Sequence, residues 1–157
     1  MTHRLTLLAV ALFAQACAPA LIAGTRVEDT PLNREIHAVV EAYRVAMETR
    51  DLEKLKQLIS PKYYENASST HTDEDDYGHD KLEKSVMPML RDNVKKVQYR
   101  IQLNRVTVKD NRAYADYEFV WKFLFVEGGR EAWNARNDFN RLVLEKDNGS
   151  WKIVEGL

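Results

Sequence analysis

The chain reads as an α+β domain in which N-terminal helices pack on a strongly curved antiparallel sheet, and three observations lead there. From Val97 to Leu157 four segments alternate apolar and polar residues, with short turn signals between them. Upstream of Val97, apolar residues recur at three- and four-residue steps, the period of amphipathic helices. The second strand segment carries an apolar row, Ala113, Ala115, Tyr117, Phe119, Trp121, Phe123 and Phe125, that needs a cover, and the upstream helices are the only one available. With 157 residues, of which 45% are hydrophobic, the chain is the size of one domain and can bury a core.

The first residues have a composition of their own. Arg4 supplies a positive start, and Leu5 to Ala14 is an apolar run of secretory length, short for a bilayer span. Ala14-Gln15-Ala16-Cys17-Ala18 follows, and Cys17 is the only cysteine. This stretch resembles a bacterial lipoprotein signal, in which the cysteine is lipidated and becomes the new N-terminus. The alternative is ordinary cleavage after Ala16 or Ala18, both of which satisfy the small-x-small rule. The expected division is a signal peptide over 1–16, an anchor cysteine and tether over 17–30, and a domain over 31–157. The expected address is the cell envelope, lipid-anchored to a bacterial membrane facing the periplasm, with a soluble secreted form as the alternative.

Thr30-Pro31 predicts a helix start, since Thr can cap free N–H groups and Pro is tolerated in the first turn. Leu32, Ile36, Val39, Val40, Tyr43 and Met47 then form one stripe. Asp51 caps a second helix carrying Leu52, Leu55, Leu58 and Ile59, ended by Ser60-Pro61. Residues 66–80 are polar and aperiodic, a loop. Its His71, Asp73, Asp75, Asp76, His79 and Asp80 fit no metal-ligand spacing and read as a solvated acidic segment, so no metal or cofactor is expected. Asp80 with Glu83 resembles a capping box for a third helix, which Pro88 interrupts.

In the sheet, Val97, Tyr99, Ile101 and Leu103 share one parity and Val106 and Val108 the other, which predicts a bulge near Asn104-Arg105. Lys109 to Arg112, Gly128-Gly129 and Asp147 to Ser150 are the turns. The third strand changes parity from Trp133 and Phe139 to Leu142 and Leu144, which predicts a second phase shift. Its polar row of Asn134, Arg136, Asp138 and Asn140 has two readings, a solvated surface row or convergent polar groups of a pocket. A formal net charge of −1 with interleaved signs gives no support for nucleic-acid binding.

The order helix, helix, loop, helix and long antiparallel strands resembles the nuclear transport factor 2-like superfamily, most specifically over Val40 to Leu55 and Asn148 to Val154. The resemblance implies a cone-shaped fold with a pocket between helices and sheet, and homodimers paired through the outer sheet face. The superfamily includes ketosteroid isomerase, dehydratases, cyclases and assembly domains. The isomerase pattern uses an Asp base, with a Tyr and a protonated Asp donating to an oxyanion. By resemblance, Tyr43 falls at the Tyr and Asp138 is the candidate for the protonated Asp. The base position falls at Ala67, which has no proton acceptor, leaving Glu65 or His79 as substitutes. Candidate ligand contacts are Tyr43, Tyr64, Trp121, Arg136 and Asp138. The expected role is non-catalytic binding of a small apolar ligand or a protein partner at a membrane. A cavity enzyme using Tyr43 and Asp138, or a structural homodimer, are the alternatives.

Overall fold

The computed structural model describes residues 18–66 and 76–157. Cys17 and the signal segment lie outside the described residues, as do Ala67, His71, Asp73 and Asp75 of the acidic loop. Helix α1 spans Pro31–Thr49, and the Thr30 hydroxyl accepts the Asn33 N–H at 3.2 Å, as its capping role requires. Arg50 ends α1 in the left-handed region at φ 56°, returning its N–H to the Ala46 and Met47 carbonyls. Asp51 then caps α2, Leu52–Leu58, by accepting the Lys54 N–H at 2.9 Å. No described helix is long and apolar enough to cross a membrane.

Beyond α2, β1 (Tyr64–Glu65) pairs antiparallel with β2 (Tyr77–Gly78) at the base of the acidic loop, a short ladder that no periodicity announced. The helical stretch after it has three parts: α3 (His79–Lys81), a π-helical turn (Leu82–Val86) and α4 (Met87–Asn93). Its start differs from the expected capping box. Gly78 precedes the first turn without a side-chain bond, and Asp80 lies inside it, paired with Lys84 at 2.8 Å. The interruption expected at Pro88 is a change of helix type at its N-terminal side. A proline ring collides with the carbonyl four residues back in a regular α-helix. Here the wider π turn, closed by the Met87 N–H to the Leu82 carbonyl, comes just before Pro88 and accommodates it.

Four strands follow in meander order: β3 (Val94–Lys109), β4 (Arg112–Glu127), β5 (Arg130–Asp147) and β6 (Ser150–Glu155). They form a curved antiparallel sheet covered by the helices on its concave face. The β3–β4 register shifts between Leu103 and Arg105, where the parity change predicts a bulge. Leu103 opposite Tyr117 and Val106 opposite Ala115 thus share the covered face. The second expected shift is absent. The β4–β5 ladder runs without interruption from Arg112 opposite Glu145 to Glu127 opposite Arg130. Trp133 and Phe139 are therefore on the convex face, 52% and 72% exposed, and the irregularity falls instead between β5 and β6, at Val143 and Leu144.

Residues 20–29, expected to be part of a tether, are folded onto the border of β3. Leu21 and Glu28 form a bridge, the Arg26 N–H meets the Leu103 carbonyl at 2.9 Å, and Val27 is buried in the core. The core runs from Ile36, Val40 and Tyr43 of α1 through Leu55 and Leu82 to Tyr117, Leu142, Leu144 and Ile153 of the sheet. Each such aliphatic side chain contributes about 1.5–3 kcal/mol by leaving water. The Ser60 N–H bonds the Ile153 carbonyl at 2.8 Å and pins the end of α2 to β6.

Candidate functional site

The concave face of β4 presents Tyr117, Phe119, Trp121, Phe123 and Phe125; an outer groove forms against it, and an inner chamber lies among the helices, Tyr77 and the C-terminal Leu157. The inner chamber, about 150 Å³, lies among Tyr43, Met47, Tyr77, Leu82, Leu90 and Leu157. The outer groove, about 530 Å³, has a floor of Trp121, Phe123 and Phe125, a wall of Met89 and Leu90, and a lip of Asn134 and Arg136. Leu90 borders both, so one side chain of α4 separates them. The Trp121 and Phe123 rings lie 4.5 Å apart, a tilted aromatic pair that makes the floor.

Behind the chamber runs a thread of polar groups. The Tyr43 and Tyr99 rings meet edge to face at 5.8 Å, with the Tyr117 phenol beside them in the core. Asn140 donates its amide to the Tyr117 hydroxyl (3.1 Å) and to the Gly156 carbonyl (3.0 Å). The Gly156 N–H and the Tyr63 hydroxyl both donate to the Glu65 carboxylate, at 2.8 and 2.7 Å, and the Leu157 N–H reaches the Tyr63 oxygen at 3.2 Å. Burial pushes the Tyr43, Tyr63, Tyr99 and Tyr117 phenols above their ordinary range, because the anion would lose its water. These phenols are neutral, Tyr63 held by Glu65 and the Leu157 N–H and Tyr117 by the Asn140 amide.

The residues singled out from the sequence fall in different places. Tyr43 lines the inner chamber, while Trp121 and Arg136 meet in the outer groove. Asp138 stands beside Arg136, with the guanidinium Nε at 3.1 Å, and also accepts the Phe139 N–H at 2.9 Å. The Arg136 hydrogen bond, with help from that N–H, holds the carboxyl below its ordinary range. It is thus an ionised acceptor, not the protonated donor of the isomerase pattern. Glu65 holds backbone and a phenol at the far end of the thread. His79 sits on the first helical turn with Nδ1 3.9 Å from Glu83. Tyr64 is 53% exposed and gives its hydroxyl to Asp76 at 2.6 Å, on the outside of the fold. Tyr43, Asp138 and a base do not converge among the described residues.

Asn140 belongs to the polar β5 row that one reading of the sequence makes a pocket lining, whereas nothing in the sequence marks Gly156 as its partner. The row parity of β4 and β5 was the available signal, since Tyr117 and Asn140 are direct cross-strand partners.

A family model for the SnoaL-like domain matches residues 36–156. The chain belongs to the SnoaL-like family. No curated sequence matches this SnoaL-like domain, whereas solved structures share its fold widely. One is a nuclear transport factor 2-like superfamily protein from Salmonella enterica, 16% identical, with a TM-score of 0.65 over 80% of this chain and 87% of that one. A scytalone dehydratase candidate from Novosphingobium aromaticivorans is 10% identical, with a TM-score of 0.66 over 80% of each chain. A hexachlorocyclohexane dehydrochlorinase is 12% identical, with a TM-score of 0.58 over 80% and 82%. At such identities the likeness establishes the cone-shaped fold, and the side chains of the SnoaL-like domain must speak for its chemistry.

Proposed function

We propose that this SnoaL-like domain binds a small, neutral, apolar molecule in the outer groove without transforming it, and that it works at a cell-envelope membrane, anchored through Cys17. The observation that carries the binding reading is the pairing of polar groups around an aromatic floor. Arg136 and Asp138 neutralise each other at the lip, and the Tyr43 phenol is buried with its ring edge to face against Tyr99. An apolar floor with a few placed polar groups suits binding. A general base must reach the proton it takes, and Glu65 is committed to the Gly156 N–H and Tyr63.

Titration with 1-naphthol, a neutral aromatic of suitable size, followed by tryptophan fluorescence tests this. Micromolar binding is expected, and Trp121→Ala should weaken it by about tenfold through loss of the aromatic floor. Absence of saturable binding, or affinity indifferent to Trp121→Ala, rejects the groove. Mass spectrometry of the mature N-terminus decides the anchor: a lipidated Cys17 is expected, and an unmodified start at Cys17, Ala18 or Pro19 rules it out.

The alternative is a cavity enzyme, and its support is the thread itself, which joins the Glu65 carboxylate to Tyr117 through Gly156 and Asn140. The fold is shared with a hexachlorocyclohexane dehydrochlorinase and a scytalone dehydratase candidate, which supports this reading. Turnover of a bound molecule that is lost on Glu65→Gln would favour this reading.

A further inference from the structure

The convex face of the sheet, which the groove does not use, carries cations and exposed apolar side chains together. Cross-strand pairing sets out its rows. Lys96, Leu124 and Trp133 lie in one row across β3, β4 and β5. Lys122 lies in the next, Arg100 opposite Val120 in the one after, and Phe139 one row beyond. Val120, Trp133 and Phe139 are 45%, 52% and 72% exposed. Two adjoining recesses of about 380 Å³ each open on this face, one beside Arg100 and Val120, the other beside Trp133 and Ala135. Gln98 and Lys122 border both, so an ammonium stands between a guanidinium and an indole.

The patch is cationic although the chain as a whole carries −1. Each carboxylate at its border is already held: Glu48 by Arg44 at 2.6 Å, Glu118 by Arg26 at 3.3 Å and Glu131 by Lys95 at 2.7 Å. Among the described residues, Arg100 and Lys122 are in no ion pair. The N-terminal clasp also comes to this side. The Gln102 amide donates to the Gly24 carbonyl at 2.9 Å, and Arg26 meets Glu118. Gln102 and Glu118 are opposite each other, one row from Arg100, so the chain enters the fold at the border of the patch.

We infer that the convex face docks on an anionic bilayer, with Lys96, Arg100 and Lys122 at the phosphates and Trp133 and Phe139 set into the interface. The membrane address comes from the proposed function; the lipid at Cys17 is not required. An indole settles at headgroup level, and each cation gains from a negatively charged leaflet. Trp133 and Phe139 lie six residues apart on one strand face and span about 20 Å of the contact. A second copy, the occupant that the family resemblance implies for this face, would bring the same cations to the patch and no unheld carboxylate from its border. A bilayer supplies the negative charge that is missing. Asn134 and Arg136 of the groove lip alternate along β5 with Trp133 and Ala135, so docking holds the mouth of the outer groove at the membrane surface.

The test uses the chain from position 17 with Cys17→Ser, so that neither the apolar N-terminal run nor an acyl group can bind lipid. Every described core residue lies beyond that position. Co-sedimentation should show binding to vesicles of phosphatidylglycerol and phosphatidylethanolamine, none to phosphatidylcholine vesicles, and release at about 0.5 M salt, where exposed charges are screened. Arg100→Gln with Lys122→Gln should weaken binding about twentyfold, roughly fivefold for each cation. Lys54→Gln with Lys56→Gln, the same change of net charge on α2, should leave it nearly unchanged. Trp133→Phe should abolish the blue shift of tryptophan emission that accompanies docking. Arg100, Lys122 and Trp133 are exposed, so thermal melts of these variants should match the parent; if one fails to fold, the parent chain on the two vesicle types still decides. Failure to sediment with the anionic vesicles overturns the inference, and so does equal weakening by the α2 pair. A stable dimer that Val120→Asp makes monomeric also overturns it, by giving the face to a second copy. An unlipidated N-terminus would leave vesicle binding standing, and vesicle indifference would leave the anchor to the mass spectrum.

Discussion

At Gly156 a side chain has nowhere to go. The residue sits at φ +98°, and a Cβ placed there would lie 1.9 Å from the Arg141 carbonyl oxygen. Both of its backbone groups also work, the N–H on Glu65 and the carbonyl on Asn140. Gly156→Ala must move one backbone or the other, and we expect a loss of about 3 kcal/mol in urea denaturation. A change under about 0.5 kcal/mol, the scatter of neutral surface substitutions, would show that the crossing is slack. Tyr117→Phe is a gentler probe of the same thread. It keeps the ring and removes a buried hydroxyl, at a cost of about 1 kcal/mol. Asn140 keeps its bond to Gly156, so a much larger loss would mean that the phenol cluster is held mainly by Tyr117.

At the scale of elements, the caps carry stability that the sequence announces. Thr30→Ala leaves the Asn33 N–H without its acceptor, and a loss of about 1 kcal/mol is expected by thermal melting; no shift in midpoint would mean that water replaces the hydroxyl without cost. The helix starts at Thr30 and Asp51, the bulge near Asn104 and all three hairpin turns were legible because each depends on a few adjacent residues. The β5 misreading has a physical cause. Trp133 and Phe139 look like inward residues, but apolar character does not force burial, and the uninterrupted β4 ladder leaves them on the convex face. The interruption expected at Pro88 takes the form of a change of helix type, and the π turn itself is not legible because it depends on packing around Leu82 and Met87, both buried. Of the site, Trp121 and Arg136 come together only because the β4–β5 ladder has no shift. The thread through Asn140, Gly156 and Glu65 was not legible, since it joins residues as much as 91 positions apart.

For the molecule as a whole, four buried phenols set an alkaline limit. Tyrosine ionises near pH 10 when exposed, and burial raises Tyr43, Tyr63, Tyr99 and Tyr117 in the fold. Below that pH both states hold their protons and the contribution is fully present. Above it the unfolded chain releases protons that the folded one keeps, so stability falls as pH rises. The melting midpoint should decline steeply above pH 10, with tyrosinate absorbance appearing together with unfolding. Ionisation at that pH of more than the three remaining tyrosines of the seven, in a chain still folded, would mean the buried phenols are open to solvent.

The clasp of residues 20–29 on β3 has a consequence for reach. Only Ala18 to Ala20 separate position 17 from the first bridge at Leu21, a span of roughly 10 Å when extended. If position 17 carries acyl chains, the cone rides against the lipid headgroups with no leash to lift it, and it patrols a plane instead of a volume. Molecules that dissolve in the bilayer would then be presented to it by lateral diffusion.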